Sequence, residues 1–181
     1  MSDYLSTPGI LERLQIERDA LLLRLEGIPH ELQNRRPSEG RWSIAEVLEH
    51  LTRIEGGLTK LLSLRGQEEP PPGSPSPDSS NLYSHEIGNL LRDRSQHIEA
   101  PERVLPAGAL SAQEALGQLK SARSVLLTAF DSANRTALDQ VTHPHPVFGP
   151  LTLRSWIALV SDHEARHAEQ IGEVADQLRA G

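Results

Sequence analysis

The feature that most constrains the fold is an apolar period of about 3.6 residues, which recurs in four segments of the chain. The second and third segments also begin with capping boxes, Ser43 with Glu46 and Ser111 with Glu114. No convincing alternation of apolar and polar residues competes with this helical pattern. The predicted helices cover about residues 10–25, 43–62, 111–130 and 152–178. Four helices with one apolar stripe each predict an all-α four-helix bundle.

The segment between the second and third predicted helices has a different composition. Residues 69–80 contain five prolines among glycines and serines, and such a segment cannot propagate a helix or a sheet ladder. We interpret it as a long, flexible, solvated crossover within a single domain that spans residues 1–181. A weaker helix follows at about 81–98. The long crossover argues against a simple up-down-up-down arrangement.

Length and charge exclude several classes of protein. The chain has 181 residues, 18 basic against 25 acidic side chains, a net charge of −7 and no cysteine. The length suits one domain, and the missing cysteines exclude disulfides, thiolate nucleophiles and cysteine metal sites. The acidic balance argues against nucleic-acid binding, and no segment is apolar enough to span a membrane or to act as a signal peptide. We expect a cytoplasmic protein without membrane or nucleic-acid partners.

The most informative polar residues lie in the fourth predicted helix. His163 and His167 fall within its apolar stripe, four residues apart, so both rings should face the bundle interior on one side of the helix. Glu164 lies near the same stripe. Burying such groups without partners is costly, so either a shared metal ion or hydrogen bonds between core side chains should satisfy them.

A third histidine, His50, lies at the edge of the apolar stripe of the second helix. By itself such a residue is more often an ordinary histidine at the boundary of the core than a metal ligand. Antiparallel packing of the second and fourth helices could bring its ring beside His163 and His167. Three imidazoles plus water form the open ligand set of a catalytic zinc or nickel site.

Other polar residues are less informative. His143 and His145, in a His-Pro-His-Pro run, offer a fourth ligand, although a rigid loop with solvent-facing rings is the simpler interpretation. Glu164 is a candidate general base or an acceptor that orients an imidazole. We assign surface positions to His30, His85 and His97, and core positions to Trp42 and Trp156. Solvated helix faces are assigned to Arg41, Arg53 and Arg166, one of which could steer an anionic substrate.

Three segments together resemble the DinB-like metalloprotein superfamily. They are residues 42–51, which join a Trp-Ser helix start to His50; residues 145–152, before the last helix; and residues 163–171, which carry the His-x-x-x-His pair. The resemblance implies a four-helix bundle, often a homodimer, with a divalent metal held at His50, His163 and His167. Known members of this family include thiol transferases and a thiol-dependent isomerase, and the family name does not imply DNA binding.

The resemblance favours a metal-dependent enzyme that holds Zn²⁺ or Ni²⁺ and acts on a small molecule by thiol S-transfer or hydrolysis, with Glu164 as the catalytic acid or base. The alternative is a non-catalytic metal-binding or dimerising bundle. A fourth coordination position closed by His145 or Glu164 would favour the alternative, whereas an accessible pocket would favour the enzyme. A third hypothesis is that the histidines are core polar groups that bind no metal.

Overall fold

The computed structural model describes residues 5–70, 77–78, 82–96 and 98–180. Four long helices form a bundle, in which α3 packs along α5 and α1 along α7, while α3 also contacts α7. The elements in chain order are α1 (Thr7–Glu26), α2 (His30–Gln33), α3 (Ile44–Arg65), α4 (His85–Arg92), a 3₁₀ helix (Glu102–Val104), α5 (Ala112–Ser132), α6 (Arg135–Gln140), β1 (Thr142–His145), β2 (Gly149–Thr152) and α7 (Leu153–Ala180). The predicted four-helix bundle is confirmed.

The predicted capping boxes start two of the long helices. In α3 the Ser43 hydroxyl accepts a hydrogen bond from the Glu46 amide at 3.2 Å, and the Ser43 amide donates to the Glu46 carboxylate at 2.8 Å. Ser111 and Glu114 repeat the arrangement at the start of α5. These reciprocal bonds satisfy amide groups that the first helical turn leaves unpaired. They fix the start of the helix that carries His50.

The interior of the bundle contains two apolar clusters separated by a layer of charge. One cluster includes Leu14, Leu62, Leu126 and Ile157, and the other includes Leu21, Leu48, Leu119 and Ile171. Each long helix therefore contributes to both clusters. In the layer between the two clusters, each long helix contributes one buried charged residue, namely Arg18, Glu55, Arg123 and Glu164. We refer to these four residues as the charged layer.

The charged layer pairs its members across the bundle. Arg18 Nη2 lies 2.8 Å from Glu55 Oε1, and Arg18 also donates to Glu164. Arg123 Nη2 lies 2.8 Å from Glu55 Oε1 and 2.6 Å from Glu164 Oε2. None of the four side chains is more than 9 % exposed. Each carboxylate therefore contacts both guanidinium groups, and the buried charges balance.

A small hairpin precedes α7, where the sequence predicted a rigid loop. Strands β1 and β2 pair antiparallel, with His145 opposite Gly149, and Gly149 takes a left-handed conformation at φ 72°. Proline is tolerated here because each strand of a two-stranded sheet has an edge that needs no partner. The expectation that His143 and His145 face solvent is wrong, since both rings are half-buried.

The region between α3 and α5 is only partly described. Helix α4 forms inside the weaker helix predicted at 81–98, but it ends at Arg92. Most of the predicted Pro-rich crossover, namely residues 71–76 and 79–80, lies outside the described residues, so that prediction stays untested. Among the described helices, none is long and apolar enough to cross a bilayer.

Candidate metal centre

Three histidines from two helices meet at one point of the bundle. His50 comes from α3, and His163 and His167 come from successive turns of α7. One ring nitrogen from each histidine lies within 4.8 Å of the others. The ring of His50 lies 5.3 Å from that of His163 and 4.8 Å from that of His167, measured between centroids. The packing of α3 against α7 brings together the three residues that the sequence selected.

Two of these rings are oriented by hydrogen bonds from Nδ1. The Nδ1 of His50 lies 2.8 Å from the carbonyl oxygen of Val104, in the 3₁₀ helix, and the Nδ1 of His167 lies 2.7 Å from Oε1 of Gln170. Because both oxygens are acceptors, we assign the proton to Nδ1 in each ring, which leaves Nε2 with a free lone pair. This is the tautomer in which histidine binds a metal through Nε2, held in place by its partner.

The donor set fits a divalent metal ion. The Nε2 atoms of His163 and His167 lie 3.3 Å apart. Two nitrogens on one zinc ion, each about 2.0–2.1 Å from it in tetrahedral geometry, would be separated by about 3.3–3.4 Å. Nδ1 of His163 is buried and has no hydrogen-bond partner within the described part of the chain, so protein groups there do not satisfy this nitrogen.

Electrostatics favour the neutral form of all three rings. Burial lowers the pKa of His50, although its bond to Val104 opposes the shift. Burial, followed by the neighbouring histidines, lowers the pKa values of His163 and His167 well below 6.5. Neutral imidazoles are the form that binds metal.

The histidines line a cavity of about 1000 Å³. Its wall includes apolar and aromatic side chains from α3, the hairpin and α7, among them Ile54, Leu61, Phe148, Leu159 and Val160. Trp42 and Trp156, which we expected to be core anchors, are half-buried; they pack against the two apolar clusters and also line this cavity. A large concave site with apolar walls and a few convergent polar groups is typical of small-molecule binding.

His145 lines the cavity but is engaged by its own hairpin. Its Nδ1 accepts hydrogen bonds from the amides of Val147 and Phe148, both at 3.2 Å. The ring stacks on Phe148 and lies 4.7 Å from that of Trp156, between centroids. Burial and the charge of Arg103 lower the pKa of His145 to about 4. These bonds argue against the fourth-ligand hypothesis, because Nδ1 is already occupied and the neutral ring then carries its proton on Nε2.

Glu164 is not where the catalytic assignment requires it. Both of its carboxylate oxygens are paired within the charged layer, with Arg18 and Arg123. It is 1 % exposed and is not among the described residues that line the cavity. One residue along a helix is a rotation of about 100°, so Glu164 faces the bundle axis while His163 faces the cavity. This arrangement does not support Glu164 as the general base.

Among the remaining sequence-based assignments, some agree with the structure and others do not. His30 and His85 are exposed as expected, whereas His97 lies outside the described residues. Arg166, which we expected on a solvated face, is buried and donates to the carbonyl oxygens of Leu91, Asp93 and Gln96. No pattern in the sequence points to the Val104 carbonyl as a partner of His50. Gln170 could have been found from its position three residues after His167, on the same helical face.

The fold and the site define a helical bundle with a three-histidine centre suited to a divalent metal. The model of the DinB superfamily matches residues 13–171, and the chain belongs to that superfamily. An uncharacterized protein of Bacillus subtilis (strain 168), YuaE, is 31% identical over 155 residues, which cover 85% of this chain and 90% of the relative. The crystal structure of TT2238, a four-helix bundle protein, has a TM-score of 0.58 at 23% identity, covers 93% of this chain and 99% of its own, and supports the fold alone.

Proposed function

We propose that this protein is a metal-dependent enzyme that binds one Zn²⁺ or Ni²⁺ ion through His50, His163 and His167. Its substrate is a small molecule, and the reaction is transfer of a low-molecular-weight thiol or hydrolysis. The observation that carries the proposal is that the three imidazoles line a cavity of about 1000 Å³. Catalytic metal sites keep a coordination position open to solvent or substrate, whereas structural sites fill all four positions with protein ligands.

The side chains around the histidines support the enzyme over a non-catalytic metal-binding bundle. A closed site would need a fourth protein ligand, for which Glu164 and His145 were the candidates. Glu164 pairs with two arginines in the charged layer, and Nδ1 of His145 accepts two backbone hydrogen bonds. Both groups are therefore committed to other contacts, which leaves the cavity side of the centre accessible.

The residues of this chain would prepare the centre for catalysis. A bound Zn²⁺ or Ni²⁺ ion supplies Lewis acidity, which lowers the pKa of a coordinated thiol or water. The Val104 carbonyl and the Gln170 side chain hold the rings of His50 and His167 with Nε2 unprotonated. The apolar wall, including Leu159 and Val160, reduces the access of bulk water and strengthens polar interactions within the cavity.

Metal analysis is the first test. Protein purified without chelator or a metal-binding tag should contain about one zinc or nickel ion per chain. His163→Ala and His167→Ala should each abolish stoichiometric metal, whereas His143→Ala, in the hairpin, should retain it. Full metal in His167→Ala, or none in the parent protein after incubation with each ion, would refute the proposed centre.

Activity separates the enzyme from the metal-binding bundle. Metal-loaded protein should accelerate the reaction of cysteine, glutathione or coenzyme A with monochlorobimane, or the hydrolysis of p-nitrophenyl esters. His167→Ala serves as the control in both assays. Stoichiometric metal without turnover in either assay would favour the non-catalytic bundle.

A further inference from the structure

The cavity wall is basic although the chain as a whole is acidic. Five arginines and two glutamates line it among the residues that the structure describes, against a net charge of −7 for the protein. Lining residues of one sign concentrate ligands of the opposite sign, because the low-dielectric wall focuses their field. The residues are Arg41, Arg53, Arg94, Arg103, Arg166, Glu99 and Glu173.

Three of these arginines are already committed to partners within the protein. Arg53 donates twice to Glu49, and Arg94 forms a two-pronged ion pair with Glu173. Arg166 donates to three backbone carbonyl oxygens and so holds the end of α4 and the segment after it against α7. These guanidinium groups shape the cavity, but they have few donors left for a ligand.

The other two, Arg41 and Arg103, are exposed and form no ion pair or side-chain hydrogen bond with any described residue. The charge of Arg41 acts on Glu173, whose carboxylate is paired with Arg94, so the hairpin side of the cavity is left to Arg103. Arg103 belongs to the 3₁₀ helix whose Val104 carbonyl holds the His50 ring, so its backbone lies close to the metal centre, and its side chain lines the cavity. Its charge also lowers the pKa values of His143 and His145, which indicates that it lies near the hairpin.

His145 offers a second donor on this side of the cavity. Because the two turn amides of Val147 and Phe148 donate to Nδ1, the neutral ring carries its proton on Nε2. This Nε2–H makes no hydrogen bond within the described part of the chain. A neutral ring that cannot reorient without losing two backbone hydrogen bonds is a fixed donor, and it resembles the groups that enzymes use to bind a negatively charged oxygen.

We propose that the ligand of this cavity is an amphiphilic anion whose carboxylate or phosphate group binds between the Arg103 guanidinium and the Nε2–H of His145. Its apolar body packs against the wall formed by Trp156, Leu159 and Ile54, which leaves its reactive end to approach the three histidines. The planar fork of a guanidinium suits both kinds of oxyanion. The inference rests on the proposed function, since it names the substrate class for the same cavity.

Calorimetry with matched probes tests the anion subsite. The probes are 3-phenylpropionate, 3-phenylpropyl phosphate and the neutral 3-phenylpropan-1-ol, each titrated into metal-loaded and chelator-treated full-length protein. We expect at least one anion to bind about tenfold more tightly than the alcohol in both forms, because a charge-assisted hydrogen bond contributes about that factor. The stronger of the two anions identifies the ligand as a carboxylate or a phosphate. Equal binding of the anions and the alcohol would overturn the inference.

Arg103→Gln and Arg53→Gln form a matched pair, since each removes one positive charge from the same cavity. Arg103→Gln should weaken anion binding about tenfold, and Arg53→Gln much less, because Arg53 is already paired with Glu49. Equal weakening would mean a general charge effect and would refute a specific subsite. Arg103→Lys should restore only part of the affinity, since it keeps the charge without the planar fork.

Nitrogen NMR of ¹⁵N-histidine-labelled protein tests the second donor. His145 should be neutral at pH 7 with its proton on Nε2, and that resonance should shift when the anion binds. The opposite tautomer would refute the role of His145. Anion binding that needs the metal and ignores Arg103→Gln would overturn the subsite but leave the proposed enzyme intact. Arg103-dependent anion binding in a protein that takes up no metal would support the anion subsite but refute the proposed metal-dependent enzyme.

Discussion

Replacing Glu164 by Gln should lower the free energy of unfolding by about 3–5 kcal/mol, because it removes one carboxylate from a buried and balanced set of charges. Glu164 is 1 % exposed, and its partners Arg18 and Arg123 are 7 % and 9 % exposed. After the substitution these two guanidinium groups share only Glu55, and one positive charge is left buried without compensation. Such a loss is a large share of the roughly 5–15 kcal/mol that stabilises a typical domain.

The matched control is Glu169→Gln. Glu169 pairs with Arg24, so this pair also joins α7 to α1, as the pair of Glu164 with Arg18 does, but its side chains are 60 % and 36 % exposed. The expected loss is about 0–1 kcal/mol, because water screens the exposed pair. Urea unfolding followed by circular dichroism measures both variants, and an unchanged slope shows that only stability has changed.

If Glu164→Gln and Glu169→Gln lower the free energy of unfolding by amounts within about 1 kcal/mol of each other, burial does not make the Glu164 ion pairs more important for stability than the exposed pair, and the prediction is refuted. If Glu164→Gln does not fold, Arg123→Lys keeps the charge and should give a smaller loss that can still be measured. Glu164→Gln that folds should also keep its bound metal, since the carboxylate faces the charged layer and not the three histidines. Loss of metal with an intact fold would instead support a role for Glu164 at the centre.

Two further predictions concern the stability of the protein, first at low pH and then after substitution of two glycines. Burial lowers the pKa of His145 to about 4 and that of His163 well below 6.5, so as the pH falls these histidines are protonated in the unfolded chain before they are protonated in the folded protein. Chelator-treated protein should therefore lose stability as the pH falls from about 6.5 to about 4. Urea midpoints that stay constant in this window would contradict the lowered pKa values. Gly56→Ala should raise the free energy of unfolding by about 0.5–1 kcal/mol, because Gly56 lies in α3 with open space where a Cβ would stand. Gly149→Ala should lower it by about 1–2 kcal/mol, because Gly149 has φ 72°, which an L side chain rarely adopts. A lower urea midpoint for Gly56→Ala than for Gly149→Ala would be inconsistent with these conformations.

Much of the bundle could be predicted because its information is local. The apolar period and the capping boxes at Ser43 and Ser111 depend on residues within a few turns of one another, and they identified the start of α3 and α5 correctly. The pairing of His163 with His167 is also local, since residues four apart on a helix always lie on one side of it. The approach of His50 required only that α3 pack against α7, which a four-helix bundle makes available.

The sequence by itself thus determined the helices and the three histidines that face one another, whereas the tertiary structure decided the chemistry around them. Glu164 lies near the predicted apolar stripe, yet its carboxylate is taken by Arg18, which is 146 residues away in the chain. The Val104 carbonyl that orients His50 and the hairpin that fixes His145 likewise come from segments with no helical period. Which way a polar side chain turns depends on the partners that folding brings to it, and those partners are distant in sequence.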